Sequence, residues 1–210
     1  MNYRVRSFDH LKGLRDFSDQ LMANHLTLYQ GYVKNTNQLA AHLLNMVKLG
    51  KTNTMEYAEM KRRFGWEFNG MRLHELYFEN LSRRPVPIRK TSPLYEKLWQ
   101  DFSQFGTWER GFMGVGGMRG IGWAVLTRDS ATGRLFNVWM DEHDAGFLVG
   151  STPLLVMDVF EHAYLQEFGM NRTAYVQAFM KAIDWPVVER RYEGIAGPPI
   201  QPVAVRKRAS

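Results

Sequence analysis

Residues 154–169 read LLVMDVFEHAYLQEFG. Four apolar residues in succession, Leu154 to Met157, leave no face for solvent, so a fully buried strand is predicted there. Asp158, Glu161 and His162 follow where that strand should surface, yet aromatic residues close around them. A carboxylate and an imidazole buried side by side are costly unless a third group pairs with both. The rest of the chain has to supply that group at the end of this strand.

Upstream, GWAVLTRD (122–129) and RLFNVWMDE (134–142) are two more apolar-rich strands, joined by the turn sequence SATG. Residues 154–157 supply a third strand. The first half of the chain is different. From Leu14 to about Lys48, Phe17, Leu21, His25, Leu28 and Tyr32 recur at helical steps. Gly50, Lys51, Thr52 and Asn53 break the pattern, and a second helical stretch runs from Thr54 to Leu81. Two long helices with a short connection form an antiparallel hairpin. RRPVPIRKTSP (83–93), with three prolines and four basic residues, reads as a linker. Beyond it, Leu94 to Phe112 and Tyr175 to Tyr192 are helical, the latter interrupted or ended at Trp185–Pro186. The expected class is α+β. An N-terminal helical hairpin spans 1–88, a C-terminal α/β domain spans 89–195, and a basic, Pro-rich tail at 196–210 is extended or disordered.

Composition narrows the chemistry. With 45% hydrophobic and 13% aromatic residues among 210, the chain can bury a substantial core. It has no cysteine, which removes disulfides, thiolate metal sites, iron–sulfur clusters and a cysteine nucleophile together. Any metal must be held by Asp, Glu or one of six histidines. The N-terminus lacks the apolar core of a signal peptide and no stretch is long enough to span a membrane, so a cytoplasmic location is expected. The net charge of +6 is scattered in short clusters, at Arg83–Arg84, Arg89–Lys90, Arg190–Arg191 and Arg206–Arg208. No nucleic-acid motif accompanies them, so they read as solvated surface and nucleic acid is not an expected partner.

Two motif-like stretches fail on context. GVGGMRG (114–120) lies after a helix and before a strand, the reverse of a dinucleotide-binding loop. HELYF (74–78) begins like a zinc-protease helix, but Phe78 stands at the second histidine position. The histidines carry more. His10 reads as exposed and His42 as structural, whereas His25 and His74 lie on the apolar stripes of the two long helices. Singly, each is an ordinary core histidine. An antiparallel hairpin, however, presents both imidazoles to one point, where Asp158 and His162 can meet them from the second domain. Three histidines and one carboxylate suit iron or manganese and leave a coordination position open.

These residues carry a resemblance. DVFEHAYLQEF (158–168) resembles the D-x-W-E-H-A-Y-Y signature of the iron/manganese superoxide dismutases. GIGWAVL (120–126), YVKNTN (32–37) and NRTAYVQAFMKAIDW (171–185) are similar to three further segments of that family, in order, over roughly residues 14 to 192. The resemblance implies an N-terminal helical hairpin, a C-terminal α/β domain with a three-stranded antiparallel sheet, and between them a mononuclear site with ligands His25, His74, Asp158 and His162, holding one iron or manganese per chain, with iron preferred. It implies disproportionation of superoxide anion to O2 and H2O2. Tyr32 and His143 are implied as the catalytic hydrogen-bonding pair, His143 taking the place of a family glutamine while Gly70 stands where other members supply that glutamine. Trp123 is implied to wall the pocket, Arg172 to steer the anion, and Glu161 to bond the partner subunit's site. That bridge makes a homodimer, or a tetramer built from dimers.

The sequence departs from the family pattern at the entrance. The gateway histidine has no counterpart, with Leu28 or Tyr29 in its place, and Phe160, Val125 and Thr173 replace two tryptophans and a proline. His25 and Tyr32 are one residue closer than in most members, which implies a first helix without an extra-residue bulge. The basic balance and the missing gateway favour an alternative: a catalytically impaired member serving as a scaffold or RNA-associated protein. The intact ligand set favours the enzyme.

Overall fold

The structure is a computed structural model and describes residues 2–194; the expected tail at 196–210 lies outside the described residues. Helix α1 (Asp19–Lys48) starts where Ser18 accepts a hydrogen bond from the Leu21 N–H, with Asp19 opposing the helix dipole. The apolar spacing had placed this start at Leu14. Gly13 and Asp16 instead take positive φ, and a short 3-10 turn (Asp9–Leu11) with the irregular residues after it buries Leu11, Leu14 and Phe17 ahead of the helix. The same apolar step thus came from an irregular segment. Helix α2 (Met55–Glu79) is capped by Thr54 and runs antiparallel to α1, as expected. α1 is α-helical throughout, with no bulge between His25 and Tyr32.

The Pro-rich stretch is irregular up to Pro93, and it is fastened to the C-terminal end of the fold. Arg89 bonds Glu189 through both its backbone N–H and its Nε, and the Trp185 N–H donates to the Val86 carbonyl. The single helix expected over Leu94–Phe112 is two, α3 (Pro93–Phe102) and α4 (Phe105–Gly116). Ser103 adopts the left-handed conformation (φ 68°) between them, a break that side-chain periodicity does not announce. The turn lets Trp108 and Phe112 of α4 bury against the sheet.

Strands β1 (Gly122–Asp129), β2 (Leu135–Asp141) and β3 (Ser151–Asp158) form an antiparallel sheet in the order β2-β1-β3. β1 is central and its first six residues are buried. At its start a side chain on Gly122 would meet the Met140 carbonyl oxygen at 1.9 Å, so only glycine fits. The register sets Trp123 beside Asp158 on one side and Met140 on the other. That pairing brings the end of β3 and the β2–β3 connection to the same edge. A short helix α5 (Leu165–Phe168) follows, then α6 (Arg172–Ala182) and α7 (Trp185–Tyr192), parted at Ile183–Asp184 with Pro186 in the first turn of α7.

One contiguous core runs from Phe8 to Val188, taking in both long helices and the sheet. No described helix is long and apolar enough to cross a membrane. Arg191 ties the layers together: its guanidinium donates to the Leu76 and Leu154 carbonyls, to Asn80, and to Glu79 at 2.7 Å. Its side chain is only 12% exposed. Burial pulls its pKa down, opposed by the Glu79 charge. Replacing it with methionine keeps the volume but leaves those acceptors unpaired. Arg191→Met is expected to cost about 3 kcal/mol of unfolding free energy, read by denaturant titration.

Candidate metal centre

Four elements meet around one carboxylate. His25 comes from α1, His74 from α2, Asp158 from the last position of β3, and His162 from the turn that follows. The Nε2 atoms of His25, His162 and His74 lie 3.0, 3.1 and 3.6 Å from Oδ2 of Asp158. All four donor atoms fall within 4.8 Å of one another. Donors about 2.1 Å from a common ion stand roughly 3.0 Å apart at right angles and roughly 3.6 Å apart at 120°. The three distances to Asp158 suit a coordination shell.

The protonation states point the same way. His74 Nδ1–H donates to the Gly70 carbonyl at 2.6 Å, so the neutral ring presents a bare lone pair at Nε2. That atom is buried, has no hydrogen-bond partner among the described residues, and faces a carboxylate oxygen. Two acceptors face to face in the interior repel unless a cation lies between them. Burial pushes the His74 imidazole well below its usual range and also lowers that of His25, keeping both as neutral donors. For Asp158, burial acts upward but is outweighed by His162 and by the hydrogen bonds of His162 and His25, which hold the carboxyl well below the usual carboxylate range. Its other oxygen, Oδ1, accepts the Phe160 N–H at 2.9 Å. The donor set therefore fits a hard or borderline metal ion.

A second tier lies beside the cluster. Tyr32 Oη is 2.8 Å from His143 Nε2, and Trp123 Nε1–H donates to His143 Nδ1 at 3.0 Å. An indole N–H only donates, so Nδ1 of His143 accepts; in the neutral ring Nε2 then carries the proton and donates to Tyr32. Burial lowers His143 to about 4 and pushes Tyr32 up, so both are neutral near pH 7. Tyr32 packs on His74, ring centroids 5.0 Å apart, and Trp123 does the same at 5.0 Å.

Comparison with known proteins agrees with this arrangement. Residues 90–191 match the family model described as iron/manganese superoxide dismutases, C-terminal domain. The manganese superoxide dismutase 2 of Haloferax volcanii is 34% identical over 180 residues, covering 84% of this chain and 87% of that protein. The iron superoxide dismutase of Aquifex pyrophilus is 33% identical over 201 residues, covering 91% and 92%. The chain belongs to the iron/manganese superoxide dismutase family. Within this family member, the four residues expected as ligands converge, as do Tyr32, His143 and Trp123.

Arg172 and Glu161 complete the expected set. Arg172 donates to the Gly116 and Gly120 carbonyls at 2.8 and 2.7 Å, so its charge is fixed by the backbone it braces. Glu161 is exposed beside His162, and its carboxylate makes no hydrogen bond among the described residues. Three residues went unremarked in the sequence. Tyr175 donates to the Asp158 carbonyl at 2.5 Å, Asn69 donates to the His143 carbonyl at 2.9 Å, and the Trp66 indole lies 4.4 Å from the His143 ring. Trp66 was within reach of a pattern: with Gly70 and His74 it recurs every four residues, on one face of α2.

Gly70 acquires a reason here. A Cβ at this position would sit 2.7 Å from the Tyr32 ring, so the glycine is the seat of that ring. Gly70→Ala is expected to push Tyr32 off His143 and to cost about 1–3 kcal/mol through overpacking. A crystal structure of the variant and its thermal unfolding check both.

Proposed function

We propose that this chain disproportionates superoxide to O2 and H2O2 at a single iron or manganese ion held by His25, His74, Asp158 and His162. The observation that carries the reading is the convergence of four donors on one point, three of them buried and His162 half-buried, with spacings that suit an ion. An iron or manganese ion held by these four residues would supply the one-electron redox couple that the reaction needs.

The chain's residues prepare that exchange. His74 is locked by the Gly70 carbonyl with Nε2 free, and Asp158 is locked by the Phe160 N–H, so neither ring nor carboxylate has to reorganise. The Asp158 charge offsets part of the ion's charge and favours its oxidised form. His143 donates Nε2–H to Tyr32 Oη, which leaves the Tyr32 hydroxyl proton free to point elsewhere, toward bound oxygen species or solvent. Tyr32 is thus the proton-holding group next to the ion, and Trp123 keeps His143 in the required tautomer. Trp123, Phe160 and Trp66 exclude bulk water around this pair. Arg172 contributes a fixed positive charge to the surface that attracts the anion.

Iron is the proposed ion, although relatives carrying each metal name are equally similar. The proposed assembly is a homodimer in which the exposed Glu161 bonds His162 of a second copy, and the proposed location is the cytoplasm. The division into units 1–88 and 89–195 is retained as a proposal in which the ion joins the two.

Elemental analysis and superoxide dismutation measured on one sample test the reading. About one iron or manganese per chain with activity is expected. Asp158→Ala should lose the metal and at least about the 100-fold of activity that even an outer partner of a ligand can be worth. A metal-free, inactive protein that reconstitutes with neither ion would favour the scaffold alternative. By sedimentation, the wild-type chain is expected to run as a dimer and Glu161→Ala to shift toward monomer; a monomeric wild type would remove the proposed bridge.

A further inference from the structure

Trp66 has no place among the four donors, yet it is held by Arg63, His143, Tyr32 and Glu142. The Arg63 guanidinium lies 3.8 Å over its ring and is anchored to the buried Glu67 at 2.8 Å. Its other neighbours are the His143 ring, with centroids 4.4 Å apart, and the Tyr32 ring at 5.4 Å. At its edge, Nε1–H donates to Oε2 of Glu142 at 2.8 Å. The acceptor is the residue directly before His143.

The segment that carries His143 needs such a hold. His143 stands at the tip of a tight turn closed by two backbone hydrogen bonds between Asp141 and Ala145, of 3.0 and 3.3 Å. Glu142 enters that turn with φ 49°, a left-handed conformation that costs energy in a residue other than glycine. Such a conformation persists only where its surroundings over-determine it. Two bonds from α2 do so: Trp66 to the Glu142 carboxylate and Asn69 to the His143 carbonyl. A charge-assisted bond to a carboxylate is the stronger kind.

We propose that Trp66 is a positioning residue for His143, acting through Glu142, so that α2 sets where the His143 Nε2–H points. The same helix seats Tyr32 at Gly70 and supplies His74, so one rigid element aligns a ligand and both members of the proton-holding pair. This inference rests on the dismutase reading of the site. The rival role for Trp66 is that of an entrance wall touching the substrate path directly.

Trp66→Phe keeps an aromatic face but removes the N–H, and Glu142→Ala removes the acceptor at an exposed position. On the metal-loaded proteins, azide affinity is read by absorbance titration and kcat/KM by superoxide consumption. Each variant is expected to lose about fivefold in both, the size of one hydrogen bond, at unchanged metal content. The double variant should be no worse than either, and neither change should matter in a His143→Ala background. An effect of Trp66→Phe that persists without His143, or that appears while Glu142→Ala is silent, overturns the proposal in favour of the wall. If Trp66→Phe does not fold, Glu142→Ala decides alone. A crystal structure of Glu142→Ala reads the proposal independently of the metal: His143 displaced from Tyr32 supports it, and an intact 2.8 Å bond overturns it. A wild-type protein without metal or activity would instead overturn the dismutase reading.

Discussion

The structure turns on the buried carboxylate of Asp158. It is fully excluded from solvent at the end of a strand, and three imidazole nitrogens converge on one of its oxygens. An isolated carboxylate in that position would be protonated or would unfold the strand end. It stays ionised because His162 and His25 face it and because the Phe160 N–H bonds its second oxygen. Helices from the first half of the chain and a strand from the second must both be in place for that compensation. The site is therefore also a junction.

The same junction explains why polar groups accumulate in an otherwise apolar core. His74 cannot donate from both nitrogens; its Nδ1 proton is spent on Gly70, and its other lone pair is useful only to a cation. Trp123 stands beside Asp158 in the sheet register, so the strand pairing that stabilises the sheet also delivers the indole N–H that fixes His143. Arg191 performs a comparable task at the middle of β3, binding carbonyls and acceptors from α2 and β3 at once. Structural and chemical duties are shared by the same residues.

Much of this was legible in the sequence. The apolar runs 122–129 and 154–157 are strands, and the second long helix begins at its cap Thr54 as its pattern indicates. His25, His74, Asp158 and His162 stood out because charged or imidazole side chains on apolar stripes demand a partner. The errors came where local pattern has more than one cause. Apolar spacing before Ser18 looked helical but belongs to an irregular segment. Left-handed Ser103 split a helix whose periodicity continues across the break. The two bonds from Arg172 to backbone carbonyls have no signature in the local sequence.

By itself the sequence determined the element types, the four converging donors and the family, because periodicity, burial and residue chemistry are local properties carried by each segment. Only the tertiary structure decided the tautomer of His143, the purpose of Gly70 and the grip of Trp66 on the 141–145 turn. Those depend on distances between α2, β1 and the β2–β3 connection, segments far apart along the chain. A hydrogen bond of 2.8 Å or a ring seated where a Cβ would clash at 2.7 Å leaves no trace in the spacing of residues along one strand or helix.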